Sequence, residues 1–125
     1  MGKHIILDFS CEDKQMANKK HIHNFLNGLV KTIKMNKLTE PIVKEGTPYL
    51  PGVSGFVMIE TSHIAIHTFT NENRVNMDVY SCKNFNEIDV MNKLDDYFRG
   101  LVLLNKDVLR RDDGQMLKIE KLTED

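Results

Sequence analysis

Four side chains in the middle of this sequence are of types that do chemistry. Ser54 and Ser62 carry hydroxyls, His67 an imidazole and Cys82 a thiol. A hydroxyl held against a carbonyl can act as a nucleophile once activated. An imidazole takes up and returns a proton near neutral pH. A thiol serves as a general acid where its surroundings tune its pKa. Taken singly, each has a plainer reading. Ser62 is a turn residue between strands, His67 a strand histidine with its hydrogen bonds met, Cys82 a small buried hydrophobe and Ser54 a hydroxyl satisfied within a sheet. Cys11 reads as packing. His21 and His23 read as helix-surface residues, because positions two apart on a helix do not share a face. The two cysteines, Cys11 and Cys82, form neither a disulfide framework nor a zinc site, and no metal-ligand cluster stands out.

The elements that must position these residues follow from periodicity. Residues 4–9 are apolar and β-branched and predict a first strand. Polar capping candidates occupy 10–13, and an amphipathic helix is expected from about 13 to 35, with Ile22, Phe25, Leu26, Leu29, Val30 and Ile33 on one stripe. Lys19, Lys20, Lys31 and Lys34 belong to its wet face. A short strand over 41–45 precedes a loop punctuated by Gly46, Pro48, Pro51 and Gly52. Two strands, 53–59 and 63–69, are separated by little more than Glu60-Thr61-Ser62, and 70–73 is turn material. Residues 75–80 alternate as a half-buried strand does. Ile88, Met91, Leu94 and Phe98 mark a second helix with Asn86 as its cap, and a hairpin turning at 112–114 is expected in the tail. This order predicts an α+β domain, a mostly antiparallel sheet with two helices packed on one face, in a single domain over 1–125.

Composition excludes some classes. Lys plus Arg is 17 and Asp plus Glu 18, a formal net charge of 17 − 18 = −1, which offers no general attraction for nucleic acid or an anionic membrane surface. No apolar run approaches the roughly 18 residues of a membrane helix. The start lacks the profile of a signal peptide. The expectation is a cytoplasmic protein with free thiols and no nucleic-acid or membrane partner.

Read together, Pro51-Gly-Val-Ser-Gly-Phe-Val-Met-Ile-Glu60, then Thr61-Ser62-His63-Ile-Ala-Ile-His67-Thr68, then Met77-Asp-Val-Tyr-Ser-Cys82 closely resemble the short bacterial and archaeal S-adenosylmethionine decarboxylases. Gly2-Lys3-His4 with Asp8-Phe9 and Cys11 resembles that family's first strand, and the resemblance covers about residues 2–98. It implies a proenzyme that cuts itself between Thr61 and Ser62. The Ser62 hydroxyl attacks the Thr61 carbonyl, and β-elimination then breaks the resulting ester. Residues 1–61 become a β chain, and 62–125 an α chain that begins with a pyruvoyl group. Such a group forms a Schiff base with the substrate amine and acts as the electron sink for decarboxylation, with no metal or bound cofactor. By the same resemblance His67 is the base of the elimination, Ser54 assists processing and Cys82 is the proton donor to the substrate carbon. The implied product, decarboxylated S-adenosylmethionine, is an aminopropyl donor for polyamine (spermidine) synthesis, and the implied assembly is a homodimer whose sites draw on both protomers.

The sequence departs from the family pattern at three places. Thr61 stands where the closest relatives usually have Glu, with Glu60 one place earlier. Thr70-Asn71 stands where the family commonly has Pro-Glu, so Glu72 is the candidate for gripping the ribose hydroxyls. Arg74 replaces a small or aromatic residue and is a candidate partner for a substrate carboxylate. Tyr49 is the candidate for stacking on the adenine. Two other readings stay open on these residues: a pyruvoyl-dependent arginine or ornithine decarboxylase, and an unprocessed, non-catalytic homologue that binds a nucleoside or regulates a partner.

Overall fold

The computed structural model describes residues 2–111. The chain runs β1 (Lys3–Ser10), a 3₁₀ turn (Lys14–Ala17), α1 (Lys19–Thr32), β2 (Ile42–Glu45), β3 (Val53–Ile59), β4 (Ser62–Phe69), β5 (Arg74–Ser81), α2 (Glu87–Tyr97) and β6 (Val102–Arg110). The strands form one six-stranded sheet in the order β2-β3-β4-β5-β1-β6, with every pairing antiparallel. The first strand of the sequence therefore lies between β5 and β6, and the expected α+β architecture is the one observed.

Strict alternation along the strands gives the sheet two unlike faces. Ile5, Leu7 and Phe9 of β1, Val53 and Val57 of β3, Ile64 and Ile66 of β4, and Val75, Met77 and Val79 of β5 are all buried. They pack against Ile22, Phe25, Leu26, Leu29 and Val30 of α1 and Val90 and Leu94 of α2 in one continuous core. Among the described residues no helix covers the other face, and it presents Ile6, Ile42, Phe56, Met58 and Leu109 to solvent.

The Gly-Val-Ser-Gly run has a steric explanation. Gly52 takes φ 149, and a Cβ there would meet Thr68 O at 1.8 Å. Gly55 lies under α1, where a Cβ would meet Leu26 Cδ1 at 2.9 Å and Ile22 Cγ2 at 3.0 Å. One glycine permits the backbone conformation that starts β3, and the other permits close helix-to-sheet packing.

The long expected helix is divided. Asn18 is extended and accepts the His21 N–H, so it caps α1, while Asp13 caps the preceding 3₁₀ turn by accepting from Gln15 N. Asn86 caps α2 as expected, accepting from Ile88 N. Ile88 was expected on the apolar stripe, but it is 64% exposed and Val90 takes the inward place. Lys106 and Arg110 of β6 each lie 3.6 Å from Glu87 and tie α2 to the sheet edge. The expected turn at 112–114 lies outside the described residues. Among those described, no helix is long and apolar enough to cross a membrane.

Candidate active site

The β3–β4 connection is a two-residue loop, Glu60-Thr61, closed by the pair Ile59↔Ser62. Thr61 has φ 57. For a β-branched residue this is a strained conformation, since its Cβ crowds the neighbouring carbonyl oxygen. The Thr61 hydroxyl donates to Glu60 O at 2.6 Å and accepts from Cys82 Sγ at 2.7 Å. Ser62, the next residue, is buried, and its Oγ donates to Ser81 Oγ at 3.0 Å across the β4–β5 ladder. Ser81 Oγ in turn accepts from Lys83 N at 2.9 Å and donates to Met35 Sδ at 3.4 Å. A strained peptide, a buried hydroxyl just after it and a half-buried thiol thus meet at one corner of the sheet.

That corner is basic. A cavity of about 240 Å³ beside Cys82 is bounded by Lys3, Lys83, Arg110 and Arg111. Lys3 is buried, its ammonium donates to Phe85 O, and burial holds its pKa below the ordinary lysine value. Such a rim suits a carboxylate.

Ser54 and His67 form a second cluster at the opposite end of the strands. They are cross-strand neighbours on the uncovered face, with Ser54 Oγ and His67 Nδ1 hydrogen-bonded at 2.8 Å. The bond orients the ring and leaves Nε2 as the nitrogen for a proton transfer. The remaining candidates lie at the same end. Arg74 opens β5 opposite Phe69, and Glu72 is exposed in the turn before it. Tyr49 is 92% exposed in the loop before β3, which Thr70 N ties to this turn by donating to Pro51 O at 3.2 Å.

The structure therefore brings Ser62, Thr61 and Cys82 together, and Ser54 with His67, but it does not join the two groups within one chain. Ser62 and His67 are five positions apart on β4, on opposite faces and about 16 Å apart along the strand. The odd spacing on a strand is a signal the sequence already carried. Ser81 is a contributor that the sequence reading passed over. Only its register opposite Ser62 reveals it. A third group, His4, His63 and Asp78, converges on the uncovered face from β1, β4 and β5.

Comparison with known proteins bears on the family and the fold. The sequence profile described as S-adenosylmethionine decarboxylase matches residues 3–111. An S-adenosylmethionine decarboxylase proenzyme from Archaeoglobus fulgidus is 26% identical over 95 residues, covering 75% of this chain and 82% of that protein. One from Clostridium botulinum is 30% identical over 83 residues, covering 65% of this chain and 68% of that protein. The crystal structure of the adenosylmethionine decarboxylase from Aquifex aeolicus shares the fold with a TM-score of 0.72 at 22% identity, over 94% of this chain and 98% of that one. The profile spans all six described strands and both described helices, and the chain belongs to the S-adenosylmethionine decarboxylase family.

Proposed function

We propose that this chain is made as a proenzyme, cuts itself between Thr61 and Ser62, and then decarboxylates S-adenosylmethionine. The observation that carries this reading is the positive φ of Thr61 immediately before a buried, hydrogen-bonded Ser62. Attack of Ser62 Oγ on the Thr61 carbonyl carbon replaces the peptide bond by an ester and frees the Ser62 nitrogen. Loss of the Ser62 Cα proton expels the Thr61 carboxylate. Water then replaces the nitrogen, releasing ammonia and leaving a pyruvoyl group on residue 62. Backbone strain of this kind is worth about 1–3 kcal/mol and is relieved when the peptide breaks. Ser81 holds the attacking hydroxyl.

The pyruvoyl group supplies an electrophilic carbonyl that takes up the electrons left when carbon dioxide departs. The chain's own residues do the rest. The basic rim beside Cys82 holds the substrate carboxylate, the Cys82 thiol returns a proton to the substrate carbon, and the Thr61 hydroxyl orients that thiol. Tyr49 and Glu72 are the candidates for the nucleoside end, and Arg74, the candidate carboxylate partner of the sequence, lies at that same end of the sheet, away from the basic rim. The product is an aminopropyl donor for polyamine synthesis, and the two free cysteines suit the cytoplasm.

A cut at this loop leaves the protein assembled. Residues 1–61 supply β1, β2 and β3, the remainder supplies β4, β5 and β6, and β1 lies hydrogen-bonded between β5 and β6.

His67 and Ser54 reach the Ser62 corner through a second copy of the chain. A two-fold pairing that sets the Thr61–Ser62–Cys82 corner, at the end of the strands, of one protomer against the His67 end of the other makes two composite sites at once. The exposed Ile6, Ile42, Phe56, Met58 and Leu109 give the uncovered face, which carries His67, the apolar character of an interface.

Intact mass under denaturing conditions tests the proposal. Fragments of residues 1–61 and 62–125, the second with a keto group in place of its amine, are expected from the wild type and not from Ser62→Ala. A single uncut species from both would refute it. Carboxyl-labelled substrates then separate S-adenosylmethionine from arginine and ornithine by which one yields labelled carbon dioxide.

A further inference from the structure

We infer that His4, His63 and Asp78 form a binding site for one divalent late transition ion of the zinc class, independent of the decarboxylation chemistry. His4 and His63 flank Tyr80 in register on either side of β5, and Asp78 lies two residues before Tyr80 on the same face. Both imidazoles spend the same nitrogen on one oxygen: His4 Nε2 lies 2.6 Å and His63 Nε2 3.1 Å from Asp78 Oδ2. The three potential ligand atoms all fall within 4.8 Å of one another. A tetrahedral zinc ion with bonds of about 2.0–2.1 Å needs its ligand atoms roughly 3.3 Å apart, so small side-chain rotations would admit one.

The chemistry of the set is also suitable. Two neutral imidazoles and one carboxylate are ligands of borderline softness, matched to zinc, cobalt or nickel rather than to magnesium or calcium. Three protein ligands leave a fourth position for water. The rings are held in place by packing. His63 stacks on Phe56 with centroids 5.7 Å apart and an interplanar angle of 24°, and His4 meets the Tyr80 ring edge-on at 5.7 Å. In the single chain the side chains of His4, His63 and Asp78 keep 22%, 33% and 29% of their exposure, and they lie on the sheet face proposed above to pair with a second copy, so an ion there is held at that interface. Each ligand comes from a different strand at the middle of the sheet, so a bound ion clips β1, β5 and β4 together.

The test is calorimetric titration of Zn²⁺ into the chelator-stripped full-length protein, with Co²⁺ absorption as a second readout. One ion per chain is expected, with a Co²⁺ spectrum of tetrahedral intensity. His4→Ala, His63→Ala and Asp78→Asn should each weaken binding at least about tenfold. These side chains are partly exposed and Asp78→Asn is isosteric, and circular dichroism checks that each variant is folded. Cys82→Ser should bind as the wild type does. No saturable binding, retention of binding in the His4→Ala/His63→Ala double variant, or its loss in Cys82→Ser would each overturn the assignment. The first outcome would leave a hydrogen-bonded His–Asp–His group, and the last would move the ion to the thiol. None of these readouts depends on processing or turnover.

Discussion

Composite sites predict a specific pattern of rescue. Ser62→Ala removes the proposed cleavage nucleophile and His67→Ala the proposed base, and the two lie about 16 Å apart along β4 on opposite faces of one chain. Each variant alone should be uncut and inactive. When both are co-expressed in equal amounts, random pairing makes about half of the dimers mixed, and each mixed dimer holds one site with both residues intact. About one quarter of all chains should therefore be cut, every one of them a His67→Ala chain, and activity should reach about one quarter of the wild-type value. Intact-mass measurement of the co-purified protein, with the two variants distinguished by a tag, reads the first number, and release of labelled carbon dioxide reads the second. Either variant cut when expressed alone, or no cutting in the mixture despite confirmed mixed dimers, would refute the separation of the two half-sites between protomers.

Three further outcomes follow from the geometry. Thr61→Gly removes the penalty of a β-branched residue at φ 57, about 1–2 kcal/mol, so the uncut form should gain stability and self-cleavage should slow by up to about thirtyfold in a time course; unchanged cleavage would show that the strain does not drive the cut. Gly55→Ala presses a methyl group against Leu26 and Ile22 and should cost about 1–3 kcal/mol, lowering the thermal midpoint by several degrees; an unchanged midpoint would show that α1 can lift without cost. Asp13 accepts from Arg99 N at 2.8 Å and from Gln15 N at 2.9 Å, and these bonds hold its carboxyl below the usual aspartate value. Asp13→Ala should cost about 1–2 kcal/mol at neutral pH. Because the folded pKa is the depressed one, part of this contribution, present above the unfolded value of about 4, is lost as pH falls through the folded value. Urea midpoints of wild type and variant should therefore converge below about pH 4, and a constant difference would contradict the assignment.

The sequence determined whatever depends on local periodicity and short-range chemistry. A strand-like apolar run located β3 and alternation located β5, each to within a residue, Asn86 announced the start of α2, and the Ser62, His67 and Cys82 spacing carried the family resemblance. Local signals also misled where two solutions compete. Ser10 to Asp13 offered caps, yet an extended Asn18 starts α1, because the turn before it first brings Met16 into the core. Ile88 fits a helical stripe, but the core is reached by Val90 and Leu94, and Ile88 stays in solvent.

Tertiary structure alone decided how distant strands pair. Nothing local places β1 between β5 and β6, and it is this non-local register that sets Lys3 beside Arg110 and His4 beside Asp78. Likewise Ser81 meets Ser62 only because β4 and β5 pair in the register Ser62↔Ser81. The sequence contained the parity that sends Ser62 and His67 to opposite faces. Only the assembled sheet gave that parity a length and showed that one face is filled by helices while no described helix covers the other. Side-chain type and strand period are properties of a few neighbouring residues, whereas register and face coverage arise from burying apolar surface across the whole chain.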